Sequence, residues 1–597
     1  MLKIIACTLL IAPSAWACRR FGVRLDPWAA GLALAFAAFQ AVGHSYESFG
    51  TYRAIFSEPS ETAYALATLV LCGACFWLGL SLIFHAMDRA GAKAAARAKA
   101  PSAEEEGRLP RALQGRDDDA PSPRRPALAF PGASGARFAL CVAAVLLLAW
   151  LPYLVVFAPG SFTYDGTNQM DVFYGFLPKT DHHPYLMTLL MGSFFDVGRQ
   201  LGSDSLGVAL WVAFQTAVQA CALSLSVASM RRMGAPRSIL AAAVAFFALA
   251  PAWGAYAQAF LKDTLFASLF CLYVTMAAEA WLRNRRGLPF SARQLALAAV
   301  LCLLLCVTRH NGLFVIVLSA PFFILAVKGR RARLQSASVA LAAVLSFALV
   351  SAALLPALGV VPAGKQETLG ALFQQTARYL KECPDDVTPE ERDAVAAVLD
   401  YGSLAGLYKG SMSDPVKATY TGDEAALPAY FRAWASMGAR HPGIYLDAFL
   451  NGMYGYLYVD ASSPHDTWDY RFYNYGPLPG VPDDFEVDYA FGEGVRGAVI
   501  SACNVWQGIP LLGLTGHCGV YSWALLAACA YLLRMRQPRL LFIAAPTLVM
   551  LLICFVSPVN GYLRYMLPIM AVVPLTLWFA VYACAKGREC RCRHAGI

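Results

Sequence analysis

The chain has 597 residues, of which 58% are hydrophobic and only 15% charged, and its mean hydropathy is +0.50. Soluble domains carry about 25% charged residues, so an ordinary soluble fold is excluded and an all-α polytopic membrane protein is expected. The net charge of +9 does not imply nucleic acid, because most Lys and Arg lie in short loops between apolar runs, where membrane topology explains them.

In chain order, residues 1–87 read as a first group of membrane helices, near 2–18, 29–45 and 62–87. Met1 to Cys18 resembles a signal peptide, with Lys3, a short apolar core and Ala15-Trp16-Ala17. Arg19, Arg20 and Arg24 follow it and favour an uncleaved span with its N-terminus outside. Residues 88–136 change character, with Glu104-Glu105-Glu106 and Asp117-Asp118-Asp119 among Ala, Arg and Pro, and read as a disordered cytoplasmic linker.

Residues 137–356 form a transmembrane core. Its first span ends near 157 and opens into the richest polar stretch of the chain, APGSFTYDGTNQMDVFYGFLPKTDHHPYL. Further spans are expected near 205–230, 238–256, 263–282, 293–308, 312–328 and 334–356. Residues 357–515 form one large extracytoplasmic region of mixed composition. Within it, VTPEERDAVAAVLD reads as a helix with Thr388 as N-cap and Pro389 at the first helical position. The segment PAYFRAWASMGARHPGIYLDAFLNGMYGYLY is amphipathic, and lies either along the membrane or on the domain's own core. Residues 516–597 supply the last spans and a basic cytoplasmic tail. At about 20 residues per span, the whole chain offers about thirteen candidates. Most of the 17 Cys lie in apolar runs and act as small hydrophobes, while Cys503 and Cys518 are expected outside and could pair.

Loop charge alternates. Arg231-Arg232, Arg283/Arg285/Arg286, Lys328/Arg330/Arg331/Arg333 and Arg534/Arg536/Arg539 mark one face as cytoplasmic. Small polar motifs therefore gather on the other. Asp165 follows a membrane helix in a Gly/Ser/Thr-rich loop, where a carboxylate can take a proton from a hydroxyl or hold a metal, or simply form a turn before Gly166. Asp181-His182-His183-Pro184 offers a metal ligand, an acid or a phosphate contact, or equally a helix start capped by Asp181. Lys262-Asp263 opens a helix, where Lys262 can bind phosphate or snorkel beside a capping Asp263. Arg309-His310-Asn311 interrupts an apolar stretch between two short helices, and a charge at that depth is costly and usually functional. Arg309 suits phosphate, with Asn311 beside it, and Arg564 in VNGYLRYMLP reads likewise. Gln374, Gln375 and Arg378 are expected to face the same cavity from the outer domain, with Asn451 and Asp460 as weaker candidates.

A carboxylate in the first outer loop of the core, basic groups on later outer loops and a large outer domain near the C-terminus resemble the GT-C superfamily of membrane glycosyltransferases. The resemblance covers about 137–585 as an architecture. The segments PGSFTYDGTNQM, HHPYL, KDTLF, TRHNG, FQQTARY and HPGIYLDAFLNGMYGYLY look closer still to an uncharacterised bacterial multi-spanning family that carries only a domain-of-unknown-function label. The GT-C likeness implies a polyprenyl-phosphate-linked sugar donor, an envelope glycan, lipid or protein acceptor, and an active site on the outer face of a bacterial plasma membrane. It implies Asp165 as catalytic base, His182 and His183 as catalytic partners, and Lys262, Asp263, Arg309, Asn311 and Arg564 around the lipid phosphate. A divalent ion, Mg or Mn, would rest on Asp165, Asp181 and His183. The chain lacks a plain Asp-x-Asp pair, and Asp171 or Asp181 would supply the second acid. The competing expectation is a transporter or flippase, or a polymerase or ligase, of lipid-linked envelope glycans.

Overall fold

A computed structural model describes residues 2–97, 133–461 and 472–594. The chain is built almost wholly of helices, as its composition requires, with one pair of very short strands among the described residues. The count of spans differs from the expectation of about thirteen. Six helices are long and apolar enough to cross a bilayer: Pro59–Lys93, Gly135–Val156, Asp204–Arg232, Lys262–Arg285, Arg330–Ala357 and Leu563–Ala585. A bent pair, Arg237–Leu249 and Pro251–Ala257, makes up to seven. The shortfall has a physical cause. Several apolar runs fold as helices that stop early, namely Ala292–Thr308, Asn311–Ala326, Cys518–Arg534 and Ala545–Phe555. Leu2–Arg20 and Pro27–Phe49 are helices as expected, and neither is among the six.

The two ends of the segment expected as a linker, 88–97 and 133–136, are helical. Residues 88–97 continue the Gly73–Arg97 helix, and 98–132 lie outside the described residues. The core then assembles around Asp204–Arg232 and Lys262–Arg285, which pack on each other and on Gly135–Val156, Tyr185–Gln200 and Leu563–Ala585. Trp150, Trp211, Phe195, Phe260 and Phe270 are fully enclosed at these contacts.

The span expected at 238–256 breaks at Ala250, because Pro251 lacks the amide the preceding turn needs, and the chain turns by 50°. It continues into a strand, β2 (Ala259–Phe260), which lies parallel to β1 (Ser161–Phe162), with Ser161 opposite Ala259 and Phe162 opposite Phe260. Backbone outside a helix is tolerated within a membrane protein only where its polar groups are satisfied internally. Gln215 and Thr216, on the Asp204–Arg232 helix, meet that need. Gln215 Nε2 donates to the carbonyls of Ala257 (2.9 Å) and Ala259 (2.5 Å), and Thr216 Oγ1 donates to Ala257 (3.0 Å). Ser161 N and Oγ both donate to Gln258 Oε1 at 2.9 Å.

The outer region forms a second core from Phe373, Tyr379, Val395, Leu404, Tyr430, Met437 and Ile444. The Thr388 prediction holds. Thr388 caps Pro389–Ala396 in a capping box with Glu391. The amphipathic segment resolves into Leu427–Arg440 and Pro442–Met453, which turn Tyr430, Met437, Ile444 and Tyr445 into this core. Cys503 and Cys518 do not pair. Cys503 lies against the Tyr153 hydroxyl and Cys518 Sγ donates to the Gly561 carbonyl.

The strand pair depends on a glycine. A Cβ on Gly166 would lie 2.8 Å from the Phe260 ring and 2.9 Å from the Phe260 carbonyl oxygen. Gly166→Ala is expected to destabilise the protein by about 1–3 kcal/mol through this clash. Gly79→Ala, where a Cβ meets nothing within 4 Å, is expected to leave stability equal or slightly raised. Thermal unfolding of both variants in detergent checks the contrast.

Candidate functional site

The parallel strands each run directly into a helix. β1 leads through Thr163 into Tyr164–Tyr174, and β2 leads through Leu261 into Lys262–Arg285. Thr163 Oγ1 locks the two together, donating to the Phe260 carbonyl (2.9 Å) while accepting from Gly166 N (3.2 Å). Because the strands are in register, the two helix starts lie side by side. Asp165 and Asp263 each stand in a first turn, and Lys262 lies between them.

Two further chain segments close the cluster. Arg309 caps the Ala292–Thr308 helix, just before the Asn311–Ala326 helix, and Arg564 stands in the first turn of Leu563–His594. Lys262 Nζ lies 3.0 Å from Asp165 Oδ2, and Arg564 NH2 lies 2.9 Å from the same oxygen. Arg309 NH1 donates to Asp263 Oδ1, and Arg564 Nε lies 3.6 Å from Asp263 Oδ2. The Tyr565 ring receives the Arg309 guanidinium at 4.7 Å and that of Arg564 at 5.5 Å. Asp165, Lys262, Asp263 and Arg564 are all buried.

Electrostatics follow from this enclosure. Burial pushes the Asp165 carboxyl up, but Arg564 and Lys262 more than offset it and hold it well below the usual carboxylate range. Burial, reinforced by Lys262, holds the His183 ring well below its ordinary value. His183 is therefore neutral near pH 7. Its Nδ1 lies 3.0 Å from Lys262 Nζ and accepts from the ammonium, which puts the ring proton on Nε2. Three cations then face two carboxylates, so the cluster holds one positive charge in excess.

The structure thus brings Asp165, His183, Lys262, Asp263, Arg309 and Arg564 into one site. Others stand apart. The His182 ring lies tilted, 4.7 Å from that of His183, and leans toward Glu367 (3.7 Å), which Lys417 also holds. Asn311 opens its helix, half-buried, beside Arg309. Asp181 accepts from Tyr185 N (2.8 Å), its expected capping role, and its carbonyl accepts from His310 Nε2 (2.8 Å). Asp165, Asp181 and His183 are not drawn into one ligand set, and no group of three or more His, Cys, Asp or Glu among the described residues is arranged to hold a metal ion. The fit expected for Mg or Mn is therefore not met by these three.

The outer-domain residues bond away from this cluster. Gln375 accepts from Trp434 Nε1 (3.1 Å) and donates to the Tyr445 carbonyl, inside its own domain. Arg378 bonds Glu382 and the Gly50 carbonyl and lies 3.4 Å from Asp447. Asp447 also receives Tyr46 and Thr51. This second buried network ties the outer domain to the N-terminal helices, and Asn451 adds a bond to Gly50. Gln374 satisfies the carbonyls of Lys409 and Met412. Asp460 is exposed.

Sequence reasoning missed the aromatic floor, although Tyr562 and Tyr565 flank Arg564 in the motif already quoted. It missed Gln215 and Thr216, whose signal is a pair of adjacent polar residues within a long apolar span, with Gln219 one turn further on. It also missed the partner of Asp171, which lies buried against Asp483 outside the cluster.

Burial and the neighbouring Asp483 push the Asp171 carboxyl up to about 7. In the unfolded chain the same group titrates at about 3.9. Between these values the unfolded chain releases a proton the folded protein keeps, so stability falls as pH rises. Asp171→Asn is expected to raise the melting temperature relative to the native chain more at pH 8 than at pH 5. An equal shift at both would refute the assignment.

No curated protein matches this chain, and no solved structure does. One family model matches, over residues 178–592, and it takes in His182, His183, Lys262, Asp263, Arg309 and Arg564 while Asp165 lies just ahead of it. By that match, the chain belongs to DUF6020, a family of unknown function.

Proposed function

We propose that the protein is a membrane glycosyltransferase of the GT-C kind, which moves a sugar from a polyprenyl-phosphate-linked donor to an envelope glycan, lipid or protein on the outer face of a bacterial plasma membrane. One observation carries the reading: a largely buried cluster of three cations and two carboxylates at the ends of membrane helices, in which only Arg309 is half-buried. Its positive excess favours an anion. The starts of the Tyr164–Tyr174, Lys262–Arg285, Asn311–Ala326 and Leu563–His594 helices gather there, and helix N-termini reinforce that preference. A lipid-linked donor keeps its tail in the bilayer and presents its phosphate at such a rim.

In the free protein Asp165 is a poor base, because Lys262 and Arg564 hold it ionised. The donor phosphate competes for those cations. As they turn to it, the Asp165 carboxylate gains basicity. Asp165 then takes the proton of the acceptor hydroxyl as that oxygen bonds to the anomeric carbon. The bond from the anomeric carbon to the phosphate oxygen breaks, and its electron pair leaves with the polyprenyl phosphate. Arg309, Arg564 and Lys262 stabilise the departing charge. Neutral His183 accepts from Lys262 and orients the ammonium. The Tyr164 and Tyr475 rings, partly exposed and 4.8 Å apart beside Asp165, offer an aromatic face to an acceptor sugar.

A flippase is the second reading. The bent pair at Ala250 supports it, since broken helices are common in transporters. Transfer from radiolabelled polyprenyl-phosphate sugars in detergent separates the two. Asp165→Asn is expected to cut transfer by about 100- to 10,000-fold, and Arg564→Gln to weaken use of the donor. Undiminished transfer by Asp165→Asn removes Asp165 as base. Movement of the labelled lipid between liposome leaflets without transfer favours the flippase.

A further inference from the structure

A cavity of about 460 Å³ lies within the core, away from the Asp165 cluster. Five helices line it, with Leu225, Leu272, Leu301, Phe323 and Val339 as representative walls. Its volume falls within the range of small-molecule and lipid-tail sites, about 300–1,000 Å³. Its walls are almost wholly apolar, and its charge is confined to one end. There Arg232, Glu279, Arg283 and Gln294 line it. That end is the opposite end of the Lys262–Arg285 helix from the cluster, next to the basic loops.

The polar end is built asymmetrically. Glu279 Oε1 accepts from Arg232 Nε (2.9 Å), Arg232 NH2 (2.6 Å) and Ser229 Oγ (2.5 Å). Arg232 NH1 is buried with no hydrogen-bond partner among the described residues. Arg283 adds a second guanidinium, with its Nε on the Pro289 carbonyl. Two arginines against one glutamate leave a positive excess, and one donor lacks an acceptor. Leu297, Val300 and Leu304 line the cavity and are also exposed, so it opens sideways where the bilayer would lie.

We propose that this cavity binds an anionic phospholipid of the basic-loop leaflet. One acyl chain fills the apolar walls, and the phosphate sits between the Arg232 and Arg283 side chains that line the polar end, where a forked guanidinium suits it. The site is independent of the chemistry at Asp165. It takes a whole bilayer lipid and not the tail of a donor held at the other end.

The test uses the full chain in nanodiscs with phosphatidylglycerol carrying a diazirine near the end of one acyl chain. Phosphatidylcholine with the same labelled tail is the comparison. Photolabel is mapped by mass spectrometry. Labelling of the Leu225, Leu301 and Val339 segments is expected at least fivefold above the phosphatidylcholine level. Labelling of Leu345, exposed on the outer surface, is expected to be the same for both. Leu301→Trp fills the cavity and should cut the inner labelling at least fivefold, leaving Leu345 unchanged. Arg283→Gln should bring the two headgroups within twofold, and Arg232→Gln should do so if it folds without the Glu279 pair. Equal labelling by both lipids in the native chain overturns the proposal. So does inner labelling untouched by Leu301→Trp, or inner labelling that polyprenyl phosphate displaces and phosphatidylglycerol does not.

Discussion

The parallel pairing of Ser161–Phe162 with Ala259–Phe260 is the constraint on which the site rests. Without it, Asp165 and Lys262 belong to unrelated turns. With it, two helices begin at the same level, and their first-turn side chains meet. A pair of strands this short has little stability of its own. It persists because Gln215, Thr216, Thr163 and Gln258 consume the backbone groups that a membrane interior leaves without water. Gln215 and Thr216, inside the Asp204–Arg232 span, thus serve the backbone of a neighbouring segment.

Charge then sets the character of the site. Isolating any of these five charged groups would be expensive, since breaking a buried pair typically costs about 3–5 kcal/mol. The carboxylates therefore keep the cations in place when nothing else is bound, and their geometry is one that an incoming anion can compete for. The Asp447 network shows the contrasting use of the same chemistry. There Arg53 and Arg378 answer Asp447 and Glu382 among several hydroxyl and carbonyl partners, and the result is a joint between two parts of the chain.

Much of this was legible in the residues. Arg309 and Arg564 stood out because charge beside an apolar run is rare, and both enter the cluster. Lys262-Asp263 stands out at a helix start, and Asp165 by its place in a polar loop just beyond a membrane helix, although the residues alone do not show that a helix begins there. Arg378 and Gln375 misled for a related reason. A polar residue on an amphipathic helix announces a polar neighbour, but not which one, and theirs are Asp447 and Trp434. The count of spans failed because apolar length alone does not separate a helix that crosses from one that stops early. Ala292–Thr308 extends about 26 Å at 1.5 Å per residue, short of a hydrocarbon core of about 30 Å. The break at Pro251 was readable in the residue but not in the hydropathy, which runs on unchanged through it.

The distances along the chain between the members of the cluster carry a consequence for synthesis. Asp165 leaves the ribosome 97 residues before Lys262 and 399 before Arg564. At about 5–20 residues per second, the carboxylate waits several seconds for its first counter-charge and far longer for its second. During that interval it has to stay in water or at the lipid interface, so the loop bearing it can be drawn inward only late, once the last long helix has arrived to receive it.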